Sequence, residues 1–276
     1  MKKLFVVLSG VLMAQGGFCQ EAIKFSIGIK PNFSYDQIIT QKINIEIDLD
    51  SSTAEVLAKM DSAGMKNPTQ QRQESFTESL VKSGPLNRKT GKIPVIMTFL
   101  KSGENMANIL TPDMKFFGQA SPEGLPVYDS ISGVTLDERQ KQQILKMSSV
   151  VSQIVLPVKK MKLGDSDTLN NPIVIPIGGL ALNMDYLTIY HLKSIQGNTA
   201  LLDVKVLFKL NMDLKDIPIE GSGSGEGTMA YDLPNRYPSQ YLLTYQINLR
   251  IAKDGMIMHM KMSDSLENNC KILPIM

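Results

Sequence analysis

Alternation of apolar and polar residues with a period of two runs through most of this chain and restricts its fold more than any other feature. In KINIEIDLD (42–50), the odd positions are isoleucine or leucine and the even positions are polar. The segments LLDVKVLFKLNMDLK (201–215) and YLLTYQINLRIAK (241–253) repeat this pattern. Successive side chains of a strand point to opposite faces of a sheet, so each segment predicts a half-buried β-strand.

Two segments depart from this pattern and predict helices. A capping box from Ser52 to Glu55 opens one helix, which should end at Gly64. A second box, from Thr135 to Glu138, opens a helix that ends before Pro157. Two helices among nine or more strands predict a mainly antiparallel α+β protein, with a large curved sheet or partly open barrel and about two helices packed on it. No change in composition divides residues 20–276, so we expect a single β-rich domain.

The N-terminus has the layout of a secretory signal peptide. Two lysines precede an apolar run from Leu4 to Met13, and small residues follow it. This run is about half of the ~20 residues that a membrane span needs. We predict a signal peptide over residues 1–19, with cleavage after Cys19, and export to the periplasm, the outer membrane surface or the medium. Lipidation of Cys19 is the alternative, although Phe18 replaces the small residue that such a signal places before its cysteine.

Charge and cysteine content exclude several classes of protein. The 29 Lys and Arg include Lys2 and Lys3, so the predicted mature chain has 27 basic residues against 27 acidic ones. A neutral chain argues against nucleic acid or an anionic membrane surface as the main partner. No further segment is long and apolar enough to predict a transmembrane helix. Cys270 is the one cysteine after residue 19 and is expected to be a small buried apolar residue.

Several short motifs resemble functional sites but lack essential parts. GSGSGEG (221–227) lacks the Gly-Lys-Ser/Thr of a phosphate-binding loop, and its alternate glycines instead predict an extended strand whose bare face lies against bulky groups. GDSDTLNN (164–171) lacks the glycine and glutamate of a calcium loop, so a solvated turn is expected. His191 and His259 occur in no catalytic or zinc motif. We therefore predict no catalytic residue, metal or cofactor, and a protein that is not an enzyme.

The apolar run NNPIVIPIGGLALNM (170–184) is unusual because prolines and glycines interrupt it. These residues make it a poor central strand. Either it is an exposed lip that touches lipid or a partner, or it crosses over the core. We favour the second interpretation because exposed apolar patches are uncommon.

The segment GMIMHMKMSD (255–264) places methionine at every second position around His259. It follows a strand that ends in KDG, and Asp-Gly is a strong hairpin signal. A loop with an even number of residues sets the methionines opposite the aliphatic residues of the preceding strand and sets His259 opposite Arg250. Thioether and imidazole groups then lie on opposite faces, which disfavours a copper(I) site and favours packing or contact with an apolar ligand.

A family resemblance covers roughly residues 135–262. Its motifs are Pro157 and the step Lys162-x-Gly164-Asp165-Ser166, followed by a Tyr/Thr-rich strand, a glycine-containing turn and a long meander. In these features the chain resembles an uncharacterised family of secreted or lipid-anchored envelope proteins of Gram-negative bacteria. Asp167 stands where that family usually has an aromatic residue. The resemblance implies a β-rich fold and an envelope location, and it implies no activity or site residue.

The leading functional hypothesis is a non-catalytic envelope protein that binds a hydrophobic or lipid-like ligand on an apolar sheet face. A structural or assembly protein of the envelope, with a protein partner and no small ligand, is the alternative, and a hydrolase is the third. The residues predicted to contact the ligand are Met258, Met260, Met262, Ile247, Leu249 and Ile251.

Overall fold

The computed structural model describes residues 21–276 except 52–57, 59–60, 63, 65, 104–110, 113, 134, 152–154, 172, 178–179, 215–216, 254–255 and 276. The predicted signal peptide therefore lies outside the described residues. The strands are β1 (Phe33–Ser51), β2 (Thr69–Ser83), β3 (Ile93–Ser102), β4 (Lys115–Ala120), β5 (Val127–Ser132), β6 (Ser166–Asn170), β7 (Ile173–Ile177), β8 (Leu180–Gln196), β9 (Thr199–Leu214), β10 (Ile217–Asp232), β11 (Tyr237–Lys253) and β12 (Met256–Pro274). The helix α1 spans Glu138–Val151.

All strand pairs are antiparallel, and one open sheet contains them in the order β5-β4-β3-β2-β1-β12-β11-β10-β9-β8-β6, with β7 paired to β8. Strands that follow one another in the chain form two meanders, β1–β5 and β8–β12. The pair β1–β12 joins these meanders, and its register runs from Phe33 opposite Pro274 to Ser51 opposite Met256. The prediction of a mainly antiparallel fold with a large sheet is confirmed, and the sheet is open.

The helix content differs from the prediction of about two helices. Among the described residues, α1 is the helix of more than one turn. Much of the helix predicted between Ser52 and Gly64 lies outside the described residues, although Ala58, Asp61 and Ser62 are helical and Gly64 has the positive φ expected of a helix end. No helix in the described part of the chain is long and apolar enough to cross a membrane.

The capping box of α1 lies two residues later than predicted. Asp137 Oδ1 accepts a hydrogen bond of 2.7 Å from the Gln140 backbone N–H, and Gln140 Oε1 accepts one of 3.0 Å from the Asp137 N–H. Asp-x-x-Gln satisfies the same exposed amide groups as Ser/Thr-x-x-Glu, so the two overlapping patterns in TLDERQ compete. The helix consequently begins at Glu138.

The hydrophobic core lies on one face of the sheet, which we call the inner face. It carries the odd residues of β1 and the even residues of β12, since directly opposed residues share a face. The largest buried cluster lies over β8–β11, where Phe25 and Met161 pack on it. At the β3–β5 end, Ile144 and Leu145 of α1 pack on a smaller cluster around Phe116.

The apolar segment 170–184 forms part of a strand pair. Ile173 to Ile177 make β7, which pairs with the start of β8 so that Ile173 lies opposite Met184. This strand is off the main path of the sheet, in agreement with its prolines and glycines. The predicted crossing of this segment over the core depends on the side chains of residues 172–183, which lie outside the described part of the structure.

The glycine-rich stretch 221–227 is a row in β10 that lets its neighbours close over it. Gly221, Gly223, Gly225 and Gly227 lie on the inner face between β9 and β11. A Cβ at Gly225 would lie 2.8 Å from Tyr245 Cα. The rings of Phe208 on β9 and Tyr245 on β11, two strands apart, have centroids separated by 5.1 Å. The prediction of a bare face against bulky groups is confirmed.

Adding side-chain volume to this row should therefore destabilise the fold. We expect Gly225→Val to lower the free energy of unfolding by ~1–3 kcal/mol or more, because the new valine side chain overlaps Tyr245. The control Ser224→Val, exposed on the opposite face of the same strand, should change it by no more than about 0.5 kcal/mol. Urea unfolding followed by far-UV circular dichroism measures both. Equal stabilities of the two variants would contradict this packing.

Candidate functional site

The hairpin of β11 and β12 has the register predicted from an even loop. Lys253 pairs with Met256, so two residues connect the strands. Ile251 lies opposite Met258, and Leu249 lies opposite Met260. His259 lies opposite Arg250 on the other face, which we call the outer face. The imidazole and the thioether groups are therefore on opposite faces, as the alternation predicted.

Strand β1 supplies the other side of the methionine row. Its inner-face residues Ile45, Ile47 and Leu49 lie opposite Met262, Met260 and Met258. We call the resulting surface the methionine strip, which comprises Ile45, Ile47, Leu49, Ile247, Leu249, Ile251, Met258, Met260 and Met262. Sequence reasoning placed the β1 residues on one face of their own strand. It could not place them beside β12, because no local signal specifies this pairing.

Burial decreases across the strip from β11 to β1. Ile247 and Leu249 are 2% and 4% exposed and belong to the main core cluster. Met258, Met260, Met262 and the three β1 residues are half-buried. The strip is therefore the margin of the core, with its β11 side packed and its β1 side partly accessible to solvent.

A groove of about 520 Å³ adjoins the strip on the β1 side, lined by Ile43, Ile45, Gln71, Arg72 and Gln73. Ile43 lies opposite Gln73 and Ile45 lies opposite Gln71, so isoleucine and glutamine side chains share its inner face. The pairing of β3 with β2 runs from Thr77 to Ser83, so it ends before this part of β2. The groove volume falls in the range of about 300–1,000 Å³ typical of small-molecule sites.

A buried polar cluster interrupts the apolar inner face next to the groove. Asp264 is 2% exposed, and its Oδ2 accepts hydrogen bonds of 2.6 Å from both Gln41 Nε2 and the Tyr245 hydroxyl. We call Gln41, Tyr245 and Asp264 the carboxyl cluster. Burial, followed by the hydrogen bond and charge of Asp264, raises the pKa of Tyr245 far above its usual range, so its hydroxyl stays protonated and donates. Sequence reasoning missed this cluster, although Asp264 ends the alternating segment and shares the parity of its methionines.

Asp167 is buried, which corrects the expectation of a solvated turn over residues 164–171. It is 2% exposed, and its Oδ2 accepts the backbone N–H groups of Val158 at 2.8 Å and Lys159 at 3.0 Å. Burial alone would raise the pKa of Asp167, but these two hydrogen bonds and the Lys159 ammonium together lower it. Asp165 instead accepts the Lys162 N–H at 2.8 Å. Both carboxylates thus accept hydrogen bonds from backbone N–H groups. Those of Asp167 connect the segment that follows α1 to β6.

Neither histidine occupies an enclosed site. Ser166 Oγ lies 3.1 Å from His191 Nδ1, but the pair is exposed on the outer face of β6 and β8. Asp203 lies opposite His191 and pairs with the Lys193 ammonium at 3.3 Å. Within the described ranges, no group of three or more His, Cys, Asp or Glu residues is arranged to hold a metal ion.

Cys270 is buried in the cluster that contains Tyr35 and Tyr237, as its sequence environment predicted. Burial and the nearby Asp36 carboxyl raise the pKa of its thiol to about 12. The thiol therefore stays protonated near neutral pH, which makes it an unreactive packing residue rather than a nucleophile.

The register predicts that an acidic substitution lowers the stability of the fold at Met260 of β12 much more than at the neighbouring His259. Met260→Asp places a carboxylate between Leu249 and Ile47 and should cost ~1–3 kcal/mol of unfolding free energy. The control His259→Asp places the same group between Arg250 and Asp48 and should change stability by about 0.5 kcal/mol or less. Because Met260 is half-buried, Met260→Ala should cost less than the ~2–5 kcal/mol of a fully buried methionine. Urea unfolding checks the order, and a less stable His259→Asp protein would reverse the assigned faces.

Comparison with known proteins gives similar solved structures at very low identity. No family model matches the sequence, and no curated protein matches it. A DUF1329 family protein from Desulfovibrio piger is 10% identical, with a TM-score of 0.17 and 84% of each chain covered. Acinetobacter baumannii OccAB4 is 8% identical, with a TM-score of 0.17 over 86% of this chain and 98% of its own. Pseudomonas aeruginosa OpdQ is 6% identical, with a TM-score of 0.19 over 88% and 98%.

The first of these proteins belongs to a domain-of-unknown-function family, which is the kind of family that the sequence resembles. Similarities of this size carry no argument about topology or function. The chain is thus an antiparallel β-sheet protein with a half-buried methionine strip beside a groove, and its function has to be argued from that surface.

Proposed function

We propose that this protein is a non-catalytic, exported protein of the cell envelope that binds a hydrophobic or lipid-like ligand along the methionine strip. The N-terminal sequence supports export, with the periplasm, the outer membrane surface or the medium as the destination. The ligand's apolar part would lie against Met258, Met260 and Met262 and enter the groove beside Ile45.

The observation that carries this proposal is the partial burial of an apolar row that borders a groove. Core residues of a sheet are normally fully buried, and the cross-strand rows of Met262 and Met260 are buried where they reach β9, at Phe208 and Leu210. At the strip, the methionines and the β1 isoleucines retain exposed surface. Burying apolar surface is favourable by roughly 25 cal/mol per Å², so a ligand that covers this surface gains binding energy.

The chemistry of the strip suits a ligand with a flexible apolar chain. Methionine side chains are unbranched and polarisable, so they adapt to different apolar shapes at low cost. Ile43 and Ile45 supply apolar groove surface, while Gln71 and Gln73 supply hydrogen-bonding groups at its border. Three of the five residues that line the groove are polar, so the groove is a mixed surface that suits an amphiphile better than a purely apolar ligand.

The outer face of the same strands offers a useful contrast. A hollow of about 510 Å³ there is lined largely by polar residues, including Asn44, Glu46 and Lys261, together with Ile45 and Met262 of the strip. The Lys261 ammonium and the Glu46 carboxylate are 3.7 Å apart and form an ion pair. The apolar row of the strip faces the inner side, so we expect the apolar part of the ligand there rather than in this hollow.

Binding of Nile red, an uncharged dye whose emission depends on the polarity of its surroundings, tests the proposal. The wild-type protein should bind it saturably. Ile45→Trp fills the groove and should weaken binding at least ~10-fold, the effect of losing about 1.4 kcal/mol. The matched control Ile38→Trp places the same bulk on the outer face of the same strand, where Ile38 is 38% exposed, and should bind as the wild type does.

Thermal melting of all three proteins shows whether each remains folded. No saturable binding by the wild type would contradict the proposal and favour a structural or assembly role. Equal loss of binding in both variants would place the dye elsewhere.

A further inference from the structure

Asp264 has a buried oxygen atom that accepts no hydrogen bond from the described residues. Both donors of the carboxyl cluster, Gln41 Nε2 and the Tyr245 hydroxyl, bind Oδ2. Oδ1 is inaccessible to solvent and has no partner. A buried carboxyl oxygen without a donor loses its hydration without compensation, so such an atom in a folded protein calls for a specific explanation.

The surroundings of Asp264 also provide no compensating charge. Its inner-face neighbours are Tyr245 on β11, Ile43 on β1, and Met262 and Leu266 along β12, and none of them is basic. Among the described ion pairs, none includes Asp264. A buried carboxylate is normally paired with a basic side chain, and none of the described ion pairs supplies one to Asp264.

Asp264 also lies at the margin of the proposed ligand surface. It is directly opposite Ile43, which lines the groove, and it is two residues from Met262 on the same face of β12. A ligand whose chain lies along the strip and the groove would therefore bring one end to the carboxyl cluster.

We propose that Asp264 is the polar anchor of the ligand site and that it selects amphiphiles with an ammonium head group. The ammonium would displace the side chains that exclude solvent from Oδ1, donate a hydrogen bond to this atom and supply the missing positive charge, while Gln41 and Tyr245 hold the carboxyl group through Oδ2. Charge-assisted hydrogen bonds of this kind are about twice as strong as neutral ones. This inference rests on the proposed function, since it names the ligand class for the same surface.

Arg72 also lines the groove and could bind the ligand's head group in place of Asp264. Its guanidinium would favour a carboxylate head group. Arg72 lies opposite Asn44 in the β1–β2 pair, and Asn44 is an exposed outer-face residue. Asp264 is on the inner face with the strip, so the geometry favours the ammonium.

The experiment compares three ligands of equal chain length, namely dodecylamine, dodecanol and dodecanoic acid, as competitors of bound Nile red. The amine and the acid are used below their critical micelle concentrations and the alcohol below its solubility limit. The wild-type protein should bind the amine at least ~10-fold more tightly than the alcohol, and the acid most weakly. Asp264→Asn keeps an acceptor for Gln41 and Tyr245 but removes the charge, so its preference for the amine should fall to within ~2-fold. Asp203→Asn, the same change on the outer face, should keep the wild-type preference.

The outcomes separate this inference from the proposed function. Equal competition by all three ligands, or retention of the amine preference in Asp264→Asn, would overturn the anchor and leave hydrophobic binding intact. A preference for the acid would overturn it in favour of Arg72. Failure of the wild type to bind dye or any competitor would overturn both proposals. If Asp264→Asn does not fold, the wild-type ligand series alone still decides against the anchor when it shows no preference for the amine.

Discussion

The pairing of β1 with β12 is the contact on which the rest of the structure depends. It extends over the full 19 residues of both strands and joins the meander at the start of the chain to the meander at its end. The order of the entire sheet follows from it, because all other neighbours except the β6–β8 pair are consecutive in sequence. It also creates the functional surface, since it sets Ile45, Ile47 and Leu49 beside the methionines and Ile43 beside Asp264.

One-sided packing is the second general feature of this sheet. The glycine row of β10 lets Phe208 and Tyr245 meet across a strand, so among the described residues the core over β8–β11 closes without a covering helix. Toward β1 the apolar rows continue, but their burial falls. The same alternating pattern thus serves packing at one end of the face and, in our proposal, ligand contact at the other. Methionine suits this transition because it packs in a core and adapts to a ligand.

Local patterns in the sequence were sufficient for the long alternating strands and for the register of one hairpin. The Asp-Gly turn and the alternation on both sides of it predicted the β11–β12 pairs, including Arg250 opposite His259. The glycines of β10 predicted a bare face for the same reason, because strand parity is a local property. Two competing capping patterns, by contrast, differ little in energy, so the start of α1 was predicted two residues too early.

Features that depend on distant parts of the chain were not predictable in this way. Nothing local in KINIEIDLD specifies β12 as a neighbour rather than another amphipathic strand, so three of the nine residues of the methionine strip were missed. Asp167 appeared to be a solvated turn residue because its partners, the N–H groups of Val158 and Lys159, are backbone groups with no sequence signature. Asp264 likewise belongs to a polar cluster because it accepts a hydrogen bond from Gln41, which is 223 positions away in the chain.

In our proposal the methionine strip is a binding surface and not simply the margin of a filled core. Native mass spectrometry of the protein purified from its own cell envelope, without added detergent or lipid, distinguishes these two roles. We expect a non-covalent complex of one chain with an amphiphile, released on collisional activation and absent from the Ile45→Trp protein prepared in the same way. Exclusively ligand-free wild-type protein, folded and at its native mass, would contradict it.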